Sequence, residues 1–200
     1  KNLAVISQEV FITRHLFKKT GGVKMAIYLA SNSPRRIELL SKKVPKFEHF
    51  SRGNKEKEYP NLNPREKAIR RSKDKCLRAI SKIKEEDMVI ISGDTVVDIN
   101  GIDLGKPKDE ADAYRMIKML SGESHYAHTA MSVYKDGIMY TFCDDTMVFF
   151  DVVPEDVIRE YIKTDEPYDK AGGYAIQGFM AKYILNIRGD YNTVVGMPVD

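Results

Sequence analysis

Apolar residues along the chain come in short runs separated by turn chemistry, not in one long stripe. Runs at 27–30, 47–51, 88–92 and 96–99 predict strands. The last pairs with 102–104 across Asn100-Gly101, a dipeptide suited to the positive φ angles of a two-residue hairpin. Runs at 125–134 and 138–150 flank Asp136-Gly137 and predict a second hairpin, and 180–187 and 193–197 complete the strands. Helices are predicted where a capping residue precedes a helical period. They follow Ser33-Pro34, with a helix-like stretch over 37–43; Asn63-Pro64, with Glu66 placed for a capping box; Asp109; and Val153-Pro154. In the third, Ala113, Ile117 and Leu120 recur on one face before Gly122 ends the run. Residues 52–71, dense in charge and broken by Pro60 and Pro64, predict a loop leading into a basic helix that ends near Ile83. Hairpins inside an alternating pattern give a mixed α/β fold and exclude an all-parallel sheet.

Composition bounds the function. With 42% hydrophobic residues among 200, the chain has apolar material for a real core, in one domain or two tightly joined lobes. The net charge of +3 comes from 32 basic against 29 acidic residues, so no nucleic-acid surface follows from charge and any basic function is local. Cys76 and Cys143 have neither disulfide nor zinc spacing and read as buried thiols. No apolar run approaches the ~20 residues of a membrane helix, and no signal-peptide pattern opens the chain, so a cytoplasmic setting without a membrane partner is expected.

Four stretches could carry chemistry. Ser31-Asn32-Ser33-Pro34-Arg35-Arg36 lies between a strand and a Pro-started helix, where free N–H groups, two hydroxyls and two guanidinium groups suit an anion. An ordinary N-cap with two solvated arginines fits the same residues. Ser92-Gly93-Asp94-Thr95 puts a carboxylate at a strand's end, as a metal ligand, a water-orienting group or a turn aspartate. Lys106, between Gly105 and Pro107, could reach a phosphate or simply lie on the surface. Residues 166–178, EPYDKAGGYAIQG, combine three glycines with Tyr168, Lys170 and Gln177, which suits close backbone approach to a ligand and reading of a base edge, or a structural loop.

Taken together, LASNSPRRIELL (29–40), SGDTVV (92–97), LGKPKDEADAYRMIKMLSG (104–122), EPYDKAGGYAIQG (166–178) and VVGMPV (194–199) resemble the Maf family of nucleoside triphosphate pyrophosphatases. The resemblance implies a mixed, twisted sheet flanked by helices, two lobes with a central cleft, similar to inosine triphosphatases. It implies hydrolysis of a nucleoside triphosphate to the monophosphate and pyrophosphate with a divalent cation, Mg²⁺ or Mn²⁺, in a homodimer with no stable nucleic-acid partner. The 166–178 block resembles the dTTP/UTP branch; the branch acting on 7-methyl-GTP, and a nucleotide-binding regulator linked to cell division, are the alternatives. By resemblance Asp94 is the proton acceptor, and Arg35, Thr95 and Gln177 govern substrate choice. Ser31, Ser33, Arg35, Arg36, Lys75, Lys106 and Lys170 would donate to the phosphates, and Asp94 with Glu56 would hold the metal. The family's usual acidic pair is here Lys55-Glu56, and Ala127 replaces a β-branched residue. His125 matches the pattern but reads as a satisfied strand residue. Residues 25–200 form the family domain; residues 1–24 are an extension expected to include a helix, packed where family members carry a final helix.

Overall fold

A computed structural model describes residues 25–50, 57–85 and 87–199. The expectations for residues 1–24 and for Glu56 lie outside the described residues. A seven-stranded sheet forms the centre, ordered β2-β1-β3-β5-β6-β7 with β4 on the side of β3. Its strands are β1 (Ala26–Ala30), β2 (Glu48–His49), β3 (Met88–Ile99), β4 (Ile102–Leu104), β5 (Ser124–Lys135), β6 (Ile138–Phe150) and β7 (Ile184–Arg188). β1 runs parallel to β2 and β3, and the remaining pairs are antiparallel. Both predicted hairpins form, with Asn100, Gly101, Asp136 and Gly137 all at positive φ.

The helices are α1 (Pro34–Lys43), α2 (Pro64–Ile80), α3 (Glu110–Leu120), α4 (Glu155–Tyr161) and α5 (Tyr191–Val195). α2 starts on the expected capping box: the Asn63 side chain accepts from the Glu66 N–H and the Glu66 carboxylate accepts from the Asn63 N–H. It covers one sheet face with Ala68, Ser72, Cys76 and Ala79, all buried and all small, at helical spacing. The other face splits into two apolar clusters. One joins Ile27, Leu29, Val89 and Ile91 to Leu39 and Leu40 of α1. The second joins Val97, Ile99 and Leu104 to α3 and α4 through Ile117, Leu120 and Ile158. The two clusters are the two expected lobes, and a cleft opens where they meet.

Four elements differ from the sequence expectation. Of the strand expected at 47–51, only Glu48–His49 is formed among the described residues, as β2. β3 does not break at Ser92-Gly93-Asp94-Thr95, because β5 pairs it without interruption from Ile90↔Tyr134 to Asp98↔Tyr126. Residues 193–197 fold as the end of α5 and its exit turn, not as a strand. Asp190 caps that helix through the Asn192 N–H, and Gly196, at φ 123°, ends it. The first part of 180–187 is a 3-10 turn, Phe179–Tyr183, whose Phe179 N–H donates to the Glu166 carboxylate at 3.0 Å; only β7 is extended. Cys76 is buried and Cys143 half-buried, both free thiols, each pushed up to about 12 chiefly by burial.

Candidate active site

The sheet itself creates the site. On one side of β3, pairing with β1 stops at Ala30↔Ser92 and pairing with β4 begins at Val97↔Leu104. Among the described residues no strand covers that edge in between, so Gly93, Asp94, Thr95 and Val96 border a gap at the carboxyl end of β1. That is where open α/β sheets bind ligands. A cavity of about 670 Å³ fills it, a size suited to a small-molecule ligand. Its walls come from the β1–α1 turn, α2, β3, the segment after β4, and residues 169–177.

Side-chain alternation along β3 divides the work. Even-numbered residues face α2, and Asp94, buried, receives a hydrogen bond from the Lys75 ammonium at 2.5 Å. Odd-numbered residues face the two-lobed side. There Thr95 meets Arg36, whose guanidinium is buried and donates to the Gly196 carbonyl at 2.7 Å, to the Thr95 hydroxyl at 2.7 Å and to the Ser31 hydroxyl at 3.3 Å. The Thr129 hydroxyl donates to the Thr193 carbonyl, so at its 2.9 Å contact with Thr95 the donor is Thr95. Arg36 therefore stitches α1 to β3 and to the exit of α5. Gly93 leaves the room for this: a Cβ there would lie 2.6 Å from Met131 Sδ and 3.0 Å from Arg36 Nε.

α1 presents its N-terminus to the cavity. Ser33 is the N-cap but makes no side-chain capping bond, the first turn carries no acidic residue, and the Ser33 N–H turns back to the Ser31 hydroxyl at 3.2 Å. The dipole and the unused donors thus favour an anion. Opposite lies the 166–178 segment, which folds as 3-10 turns at Glu166–Asp169 and Ala171–Gly173. Gly172, at φ 70°, packs against Val97 and donates its N–H to the Gly105 carbonyl at 3.0 Å, which fixes Lys106 beside this segment. Asp169 gathers the cations: Arg35 approaches to 3.7 Å and Lys170 bonds it directly. Burial pushes the Asp169 carboxyl up, but the Lys170 hydrogen bond and the charges of Lys170, Arg35 and Lys106 outweigh it and hold the group below its ordinary range. Gln177 is exposed at the cavity rim.

The structure therefore brings Ser31, Ser33, Arg35, Arg36, Lys75, Asp94, Thr95, Lys106, Lys170 and Gln177 to one cavity. Arg36 and Thr95 are spent largely on each other and on backbone. Among the described residues, no three His, Cys, Asp or Glu side chains converge as a metal cage. Sequence reasoning missed Arg71, Asp103 and Asp169, which also line the walls. A signal for Arg71 existed: Lys67, Arg71, Lys75 and Arg78 repeat the spacing of Ala68, Ser72, Cys76 and Ala79 one residue earlier, so one stripe packs while its neighbour faces the cavity. His125 is a packed strand residue, as expected, but only half satisfied: its Nε2 meets the Tyr174 hydroxyl at 2.6 Å while its buried Nδ1 has no partner among the described residues, and burial pushes its pKa down to about 4.

Other proteins are similar to this chain over most of its length. A relative from Carboxydothermus hydrogenoformans is 45% identical over 177 residues, 88% of this chain and 94% of its own length; it is named dTTP/UTP pyrophosphatase. Relatives with that name from Bacillus velezensis and Pyrococcus furiosus are 42% and 41% identical over 173 residues, 86% of this chain and 90% of each relative. Among solved structures, the Staphylococcus aureus Ham1 protein aligns over 80% of each chain with a TM-score of 0.45 and 16% identity. The family model described as Maf-like protein matches residues 26–200, nearly the whole of the described fold, and the chain belongs to that family.

Proposed function

We propose that the chain hydrolyses dTTP and UTP to the monophosphate and pyrophosphate. The observation that carries the reading is the buried Asp94–Lys75 pair at the uncovered edge of β3, facing a cavity whose opposite walls offer a helix N-terminus and the cations Arg35, Lys106 and Lys170. The names of the relatives supply the substrates.

In this reading the triphosphate lies between the N-terminus of α1 and the 169–177 wall. Charge builds on the departing pyrophosphate, and fixed donors aimed at it lower the barrier most. Asp94 takes the proton of a water that attacks the α-phosphorus. A new P–O bond forms, the bond from the α-phosphorus to the bridging oxygen breaks, and that oxygen's electrons leave with pyrophosphate. Lys75 orients the carboxylate and, once Asp94 is protonated, remains a cation beside the α-phosphate. Gln177 offers a donor and an acceptor at the rim, matching the O4 and N3–H shared by uracil and thymine. The cavity's acidic lining is oxygen from Asp94, Glu58 and their neighbours, with no imidazole or thiol among the described residues. That chemistry suits Mg²⁺ or Mn²⁺. Asp94 and Glu56 would hold the ion with phosphate oxygens, and when bound it would neutralise phosphate charge.

Pyrophosphate release from a panel of triphosphates with Mg²⁺ or Mn²⁺ tests the reading, on wild type and Asp94→Asn. Release from UTP and dTTP is expected, with a fall of at least about 10²-fold in the variant, on the scale of general-base catalysis, and nucleotide binding retained. Release chiefly from 7-methyl-GTP, or unaltered turnover in the variant, overturns it.

A further inference from the structure

Lys67, Arg71, Lys75 and Arg78 form one stripe of α2, and their charges are not balanced evenly along it. Arg71 and Lys67 share Asp103, at 3.2 and 3.5 Å, and Glu58 lies 4.0 Å from the same Arg71 nitrogen. Two carboxylates there offset two cations. Lys75 faces Asp94 at 2.5 Å. Arg78 is half-buried and lines the cavity, yet among the described residues no carboxylate lies within ion-pair distance of it. A guanidinium partly withdrawn from water without a counter-charge favours an anion.

Packing fixes which end of the cavity is positive. Near its start α2 lies on β3 through Ala68 and Val96; near its end Cys76 and Ala79 pack with Ala30 and Ile90. Arg78, the neighbour of Ala79, therefore stands over the carboxyl end of β1, where the chain turns through residues 31–33 into the N-terminus of α1. That N-terminus is the positive end of a helix dipole and has no acidic residue in its first turn. Arg78 and α1 thus make one end of the cavity positive, while the Arg71–Asp103 end is neutral. Lys75 and Asp94 lie between them, with Arg78 about 5 Å and Arg71 about 6 Å from Lys75 along the helix axis. A nucleoside triphosphate has the same polarity about its α-phosphorus: an uncharged sugar and base on one side, two charged phosphates on the other. With the α-phosphorus at Asp94, one orientation along α2 matches both ends.

We infer that Arg78 binds the terminal phosphates, and with them the departing pyrophosphate, so that the nucleoside extends along α2 toward Arg71 and Asp103. The inference rests on the proposed pyrophosphatase reading and deepens it. It places on α2 a cation for the leaving group that neither the 31–36 turn nor the 166–178 segment supplies.

Product inhibition of UTP hydrolysis at constant free Mg²⁺ separates the two ends, because pyrophosphate occupies one and UMP the other. In Arg78→Gln the inhibition constant for pyrophosphate is expected to rise about tenfold, the scale of one charge-assisted hydrogen bond, with that for UMP within about twofold of wild type. UTP and dTTP should lose kcat/KM by one common factor, since their phosphates are identical. Arg78→Lys, which keeps the charge, should recover part of the affinity for pyrophosphate. A pyrophosphate constant unchanged in Arg78→Gln refutes the inference, and so does an equal weakening of pyrophosphate and UMP, the mark of a distorted cavity. Wild-type protein that hydrolyses UTP but is not inhibited by pyrophosphate refutes it as well. Release from neither UTP nor dTTP by the wild-type protein would instead remove the pyrophosphatase reading.

Discussion

Replacing Arg36 with lysine separates a residue that builds the cavity from one that merely binds phosphate. The guanidinium makes three bonds in three directions, to the Gly196 carbonyl, the Thr95 hydroxyl and the Ser31 hydroxyl, from a buried position. Hydrogen bonds from a charged donor are worth about 1.5–3 kcal/mol each, and a single ammonium, a point charge with shorter reach, cannot reproduce the fork. Thr95 keeps its bond to Thr129, and Ser31 keeps the Ser33 N–H, so neither is wholly orphaned. The Gly196 carbonyl at the exit of α5 carries most of the loss. We therefore expect Arg36→Lys to destabilise by about 2–4 kcal/mol, which for a domain of this length lowers Tm by about 5–15 °C. Calorimetry on the ligand-free protein measures the shift, and turnover on UTP and dTTP should fall by one common factor because the cavity shape changes for both. A Tm within about 2 °C of wild type, accompanied by lost turnover, would refute the structural reading and assign the residue to the phosphates alone.

Three further outcomes follow from the same geometry. Gly93→Ala places a methyl 2.6 Å from Met131 Sδ, so overpacking outweighs the gain in strand preference. A loss of about 1–3 kcal/mol is expected in denaturant unfolding, and an unchanged midpoint would show that Met131 moves aside freely. His125 is buried as neutral imidazole with its pKa lowered to about 4. Between about pH 6.5 and 4 the unfolded chain binds a proton that the folded one refuses, so stability is lost as pH falls through that window, on the order of 3 kcal/mol in all. Unfolding midpoints from pH 4 to 7 should show this slope, and His125→Gln should flatten it; equal slopes would remove His125 as the cause. Arg35→Met frees Asp169 of one cation and should change the ranking among UTP, dTTP and 7-methyl-GTP, whereas a uniform loss across them would make Arg35 a phosphate ligand only.

Local chemistry made most of the elements legible. The two hairpins, α2 with its capping box and α3 between Asp109 and Gly122 all follow from residues within a few positions of one another. The misreadings arose where a distant partner decides. Ser92-Gly93-Asp94 has turn composition, yet β5 holds it extended from thirty to forty residues away in sequence, and only the opposite edge is left open. Val194 and Val195 favour a strand, yet the Asp190 cap and Gly196 make a helix of five residues. In the site, the helix N-terminus at 31–36 showed in the sequence because it is a local object. Arg36 read as one more phosphate donor because its three acceptors lie on β3, on the β1–α1 turn and at the exit of α5.

The organisation of α2 explains why packing and chemistry are hard to separate in this molecule. Ala68, Ser72, Cys76 and Ala79 let the helix lie close on the sheet, and Ser72 locks the contact through a hydrogen bond from the Ser92 hydroxyl to its carbonyl at 2.9 Å. Only at that close approach can the neighbouring stripe, Arg71 and Lys75, reach carboxylates on β4 and β3 with short side-chain bonds. A larger residue on the packing stripe would lift the helix, and the first consequence would be longer Lys75–Asp94 and Arg71–Asp103 contacts before any loss of the fold. The small residues of α2 thus act on the Asp94 carboxylate without lining the cavity, through a spacing that the sheet beneath them sets.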